Sequence, residues 1–218
     1  MHLGTRATYL VDYAKPIDVD SEQSALAMEI TGDAKVVAAA IDKQMLVDPD
    51  AKKHEVNGLT IWEVTPPKDS ADRPASWMVA YGHLFRASHA DILKKLAGMP
   101  AKQLNKADDL KAVNAELDKL SDDRKSFRYF NRLDRSLEQT WVLFQAGKFP
   151  QSDSMLANMV ARSLGLDPDD EETKKREQEI DGATLPDFAF AQAFLGASGF
   201  FVKGMDDGWL VTGVVLEK

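Results

Sequence analysis

The sequence predicts an α+β fold built on antiparallel sheet. Three tight-turn signals carry that expectation: Asn57-Gly58, Gly82-His83 and Asp207-Gly208 each lie between short runs rich in Val, Ile, Phe, Trp and Thr. Asn-Gly and Asp-Gly supply the positive φ of one primed hairpin turn, and Gly at the first central position suits the other. Hairpins imply antiparallel pairing, which excludes the doubly wound nucleotide-binding folds. A mainly antiparallel sheet is expected, covered on one face by amphipathic helices that begin at Asp33, Ser88 and Arg124.

The elements follow in chain order. Ala7 to Tyr13 and Ala25 to Thr31 read as strands, the second through alternation of Ala25, Ala27 and Glu29 with Leu26, Met28 and Ile30. Asp33 then serves as N-cap of a helix on which Val36, Val37, Ala40, Ile41 and Met45 recur at helical spacing. A hairpin from Lys53 to Val64 follows, and Pro66 to Pro74 is a solvent loop. A strand from Trp77 turns at Gly82-His83 and enters a helix through Ser88, whose spacing to Asp91 forms an N-terminal box; Gly98 and Pro100 stop it. The passages Leu26 to Met45 and Trp77 to Met99 read as one strand-to-helix unit used twice.

Leu110, Val113, Leu117 and Leu120 place a helix over 108–120. From Arg124 to about Gln145, Phe127, Phe130, Leu133, Leu137, Trp141 and Phe144 share one helical stripe and predict a longer helix. Ser154 to Leu164 is a shorter helix ended by Gly165, and the charged stretch from Asp167 to Glu179 reads as solvated. Pro186 to Leu195 gives a last short helix before the closing hairpin of Gly199 to Val215. The four tryptophans, Trp62, Trp77, Trp141 and Trp209, are read as core.

The 218 residues suffice for one large domain or two small ones. They read as a single α+β domain over 1–218, divisible into two related strand-helix units of about 1–100 and 101–218, or as a fragment of a larger protein. A net charge of −8 argues against general nucleic-acid binding, and no apolar run reaches the ~20 residues of a membrane span. With no cysteine, thiolate nucleophiles, disulfides and Cys-ligated metals are excluded. The first residues lack the basic start and apolar stretch of an export signal.

Catalytic and metal motifs are sparse. His2, His54, His83 and His89 contain no i, i+4 pair, and Asp167 to Glu172 lacks the glycine and terminal Glu of a calcium loop, so neither metal nor cofactor is expected. Gly196-Ala197-Ser198-Gly199 falls one residue short of a nucleophile elbow. The most specific surface feature is a basic ridge, Arg124, Arg128, Arg132 and Arg135, opposite the aromatic stripe of the predicted long helix. Guanidinium forks there suit phosphate, an anionic polymer or an acidic partner; a solvated face partly neutralised by Asp134 and Glu138 explains the same residues.

Trp77-Met-Val-Ala-Tyr-Gly-His-Leu-Phe-Arg-Ala-Ser-His-Ala-Asp-Ile-Leu-Lys-Lys-Leu96, followed by Leu110-Lys-Ala-Val-Asn-Ala-Glu-Leu117, resembles a pattern in a family of bacterial proteins of unknown function. Asn57-Gly-Leu-Thr-Ile-Trp62, Leu185-Pro-Asp-Phe188 and Asp207-Gly-Trp-Leu-Val-Thr-Gly213 are similar to segments of large exported proteins of planctomycete-type bacteria. The resemblance runs from about Ala25 to Leu216. It implies an α+β fold and an envelope or secreted location, with no activity or catalytic residue to transfer; a cytoplasmic location stays open. The expected function is a non-catalytic binding or assembly module of the envelope, contacting a protein or anionic polymer through a sheet edge or the arginine ridge. The alternative is a carrier holding an apolar ligand among Phe127, Phe130, Trp141, Phe144, Phe188, Phe190 and Phe194, and the third reading is a hydrolase.

Overall fold

A computed structural model describes residues 2–67, 73–98, 104–120, 127–168, 170–179 and 181–218. The fold is α+β with antiparallel sheets, and the chain divides into two compact units, Met1–Ala14 with Glu22–Pro100 and Lys15–Ser21 with Ala101–Lys218.

The first unit is a six-stranded antiparallel sheet in the order β1-β2-β6-β5-β4-β3, made of β1 (Leu3–Tyr13), β2 (Glu22–Ile30), β3 (Ala51–Val56), β4 (Leu59–Val64), β5 (Ala75–Ala80) and β6 (His83–Ala87). Asn57 and Gly58 both take positive φ, 50° and 77°, as the β3–β4 hairpin requires. The β5–β6 turn is shifted by one residue from expectation. Ala80 pairs with His83, so Tyr81 and Gly82 are the central residues, at φ 52° and 74°. Two positive φ values make this turn the same primed type as the first, with a tyrosine tolerating the left-handed conformation beside the glycine.

Alternation along the strands sends two sets of side chains to opposite faces. On one face Ala25, Ala27, Ala80 and Ala87 leave a shallow trough around Ile61, Met78 and Phe85. Helix α2 (Ala90–Gly98) fills it with Ala90, Ile92, Leu93 and Ala97. On the other face Trp62 and Trp77 stand side by side in register, and helix α1 (Ala34–Met45) sits on that side, its Asp42 accepting a 2.7 Å bond from the Trp62 indole N–H. The two strand-to-helix passages therefore lead to opposite faces of one sheet. Asp33 caps α1 as expected, accepting from the Lys35 amide at 2.8 Å. Ser88 does not cap α2: its hydroxyl accepts from the Ser24 backbone amide at 2.9 Å, extending the β2–β6 ladder. A backbone donor beside the sheet outcompetes the helix end for that oxygen.

The second unit centres on a three-stranded antiparallel sheet, β7 (Phe127–Arg132), β8 (Ala197–Met205) and β9 (Gly208–Val215), with β8 in the middle. This corrects the long helix expected from Arg124. Residues 127–132 are strand, and the helix, α4, starts at Leu133 and runs to Gln145. Phe127, Phe130 and Leu133 fit a helical stripe by spacing, but β8 has a second edge to fill, and pairing with β7 overrides the local periodicity. The β8–β9 turn also differs from expectation: Met205 pairs with Gly208, so Asp206-Asp207 form the loop and Gly208 opens the strand.

Helix α3 (Asp108–Leu120) covers one face of this sheet, whereas the one-face cover expected from helices beginning at Asp33, Ser88 and Arg124 is replaced by α1 and α2 on opposite faces of the first sheet. Val113 and Leu117 are fully buried against Phe201, with Phe130 and Val214 beside them. Gly199 makes the approach possible, since a Cβ there would lie 2.6 Å from Val113 Cγ1 and 2.7 Å from the Tyr129 carbonyl oxygen. Three further helices complete the unit: α5 (Met155–Ser163), capped by Ser154; α6 (Glu171–Lys174), one turn inside the charged stretch; and α7 (Phe188–Gln192), capped by Asp187. Ile17 and Val19, from the segment linking β1 to β2, pack with Leu143, Phe149 and Ala157 of this unit.

Each unit has one packing position that thermal or denaturant unfolding can test. Leu93→Ala empties the centre of the α2 interface and is expected to cost about 2–5 kcal/mol. Gly199→Ala forces α3 away from β8 and is expected to cost about 1–3 kcal/mol.

Candidate functional site

The four arginines singled out from the sequence do not form a helical ridge. Arg124 lies outside the described residues. Arg128 and Arg132 are on β7, four residues apart and therefore on the same face, the one covered by α3. Arg132 makes a paired contact with Asp109, Nε to Oδ2 at 2.5 Å and Nη2 to Oδ1 at 3.0 Å. Arg128 donates to Asn114 at 2.8 Å and to Asp118 at 2.6 Å. Arg135 is on α4, exposed and without an ion pair among the described residues. The strand arginines thus clamp α3 to its sheet at two points along the helix. The Arg132 guanidinium holds the Asp109 carboxyl below the usual carboxylate range, aided by the Leu110 amide and opposed by partial burial.

The opposite face of the same sheet is largely open, with Ser198 buried at one end of it. Register fixes its membership: Phe127, Val202 and Val211 stand in one row, Tyr129, Phe200 and Gly213 in the next, and Asn131, Ser198 and Val215 beyond them, with Gly204 and Trp209 at the other end. None of these residues is charged. Trp209 is 72% exposed, Val215 64%, Val211 62% and Phe127 50%, values expected of lysines rather than of a sheet's apolar residues. Phe200 stacks on Tyr129 with centroids 4.9 Å apart and tilts against Phe127 at 5.8 Å. Burial pushes the Tyr129 phenol up. Phe200 pairs with Gly213 and Trp209 with Gly204 across the strands, and the indole of Trp209 lies close to where a Gly204 side chain would be.

Trp209 therefore departs from the core role expected of it, whereas Trp62 is buried and Trp141 donates to the Pro186 carbonyl beside Phe188. A signal for the open face exists in the sequence. Segment 209–216 is apolar at both parities, Trp209, Val211 and Val215 on one side and Leu210, Val214 and Leu216 on the other, so the strand asks for cover on two sides.

The residues proposed to line an apolar pocket do not converge. Phe130 is in the α3 core, Phe127 is on the opposite face, Phe144 stacks on Phe149 at 4.2 Å, and Phe190 and Phe194 form an exposed pair at 5.7 Å. Recesses of about 350 and 430 Å³ occur, one in each unit, near Asp48, Asp50 and Arg86 and near Gln145, Gln151 and Glu177. The first mixes these charged groups with Val64, Pro66, Pro67, Ala75 and Trp77, and the second is lined largely by polar side chains and small residues. Ser198 lies in strand, paired with Asn131 and Val215. His54 pairs with Glu63 at 2.7 Å, His83 with the Tyr81 carbonyl and His89 with Ser88. Among the described residues no group of three His, Asp or Glu is placed to hold a metal ion, and no helix is long and apolar enough to cross a membrane.

No family model matches the chain, and neither a curated protein nor a solved structure is significantly similar to it.

The clamp on α3 has a definite pH signature. A carboxyl with a depressed folded-state pKa contributes stability that is complete above its unfolded value of about 3.9 and lost as pH falls through the folded value. Asp109 and Arg132 are each about one-third exposed, so screening limits the pair to about 1 kcal/mol or less. The melting-temperature gap between the parent and Asp109→Asn is expected to be constant above about pH 5 and to close below about pH 4. A gap that persists unchanged at pH 2 contradicts this assignment.

Proposed function

We propose that the chain is a non-catalytic binding or assembly module, and that its contact surface is the open face of the β7–β8–β9 sheet. One observation carries this reading: an uncharged face leaves Phe127, Tyr129, Trp209, Val211 and Val215 exposed, with Phe200 half-buried among them. Contiguous exposed apolar surface on this scale marks interaction sites in soluble proteins. Its aromatic content matches the residues that dominate contact energetics.

The arginines support the same choice by their absence from the open face. Arg128 and Arg132 already satisfy α3 carboxylates, which leaves them little capacity for an outside polyanion. A protein surface of low charge is the better match to this sheet. Placement in a bacterial envelope rests on the sequence resemblance alone and is part of the proposal.

A photoreactive phenylalanine analogue in place of Trp209, expressed in cells, tests the reading. A discrete cross-linked species from position 209, with none from Lys52 on the charged β3 strand, is the expected outcome. If irradiation at 209 traps nothing, the open face is not a contact surface.

A further inference from the structure

We infer that the occupant of this face is the same face of a second copy of the chain, the two sheets packing into a two-fold sandwich with an α3 helix on each outer side. The inference rests on reading the open face as a docking surface and names what docks there. Three features of the face support it.

The first is charge. At net −8, two copies repel one another over most of their surfaces, and an isologous contact is least opposed where neither copy presents a charge. The open face has no ionisable side chain apart from the Tyr129 phenol. A cationic partner finds no carboxylate on it, and an anionic one finds no guanidinium.

The second is shape. The face is graded along the strands: Trp209 stands at one end, Phe127 and Val211 follow, and Asn131, Ser198 and Val215 close the other end with smaller side chains. A two-fold axis lying between the sheets and across the strands sets Trp209 of each copy over Val215 of the other, and Val211 over Gly213 beside the Phe200 side chain. Each contact occurs twice by symmetry, as in isologous interfaces. Aligned sheets pack about 10 Å apart, a gap that interdigitating rings and valines fill.

The third is area. The exposed parts of the large residues amount to roughly 500 Å² per copy, or about 1,000 Å² for the pair. That lies at the lower bound for a specific interface and matches a reversible dimer of micromolar affinity.

Sedimentation equilibrium of the purified full chain, up to concentrations on the order of 100 µM, reads the association directly. The parent is expected to approach the mass of two chains. Val211→Lys and Phe127→Lys, both at exposed positions, are each expected to weaken association at least tenfold with unchanged circular dichroism, because each buries a charge in the sandwich. Phe127 is on the strand farthest from β9. Dissociation by Val211→Lys alone therefore indicates edge-to-edge pairing of β9 and overturns face packing. Because the chain contains no cysteine, Val211→Cys offers a single thiol, and a bis-maleimide of about 10 Å is expected to join two copies. A parent that stays monomeric overturns self-association. If the position-209 photoprobe then traps a different protein, the docking reading survives without it; if it traps nothing, both fall.

Discussion

A strand presents alternate side chains to two sides, and one helix can cover only one of them. That constraint organises the second unit. β8 and β9 carry apolar side chains at both parities, and α3 satisfies the inner set through Phe201, Val214, Val113 and Leu117. The outer set, from Phe127 to Val215, is left over by arithmetic rather than by accident of packing. The first unit meets the same constraint differently: α2 fills the alanine-lined trough on one side of its sheet, and α1 shields the paired tryptophans on the other. On the α1 side Tyr9 and Val11 of the edge strand β1 stay exposed.

The arginines show how the same constraint governs polar residues. Once residues 127–132 extend as strand, Arg128 and Arg132 share the α3 side, and the helix answers them with Asp109, Asn114 and Asp118. The spacing that suggested a basic surface becomes a set of struts between strand and helix. Partly exposed ion pairs of this kind contribute little energy, and they lie on the side where Val113 and Leu117 already pack against Phe201.

Much of the fold was legible in the sequence. The hairpins at Asn57-Gly58 and over 199–215, the Asp33 cap, and the 108–120 helix all rest on local chemistry: turn glycines, a capping carboxylate, apolar residues every third or fourth position. The failures arose where a distant partner decides. β7 became strand because β8 offered it an edge 65 to 75 residues away in sequence, Phe127 against Val202 and Arg132 against Ala197. Ser88 turned to the Ser24 amide for a similar reason. The open face was only half legible. Segment 209–216 declares itself apolar on both sides, but nothing local says which of the two sides a helix covers.

The opposition of Trp209 to Gly204 has a consequence for recognition. A ring resting on a neighbouring glycine is restrained before any visitor arrives, because its alternatives swing it into water and uncover backbone. Such a ring surrenders little rotational freedom on contact, so most of the free energy gained by displacing water from it is retained as affinity. Gly204 acts here less as a point of flexibility than as a seat that holds the indole in place.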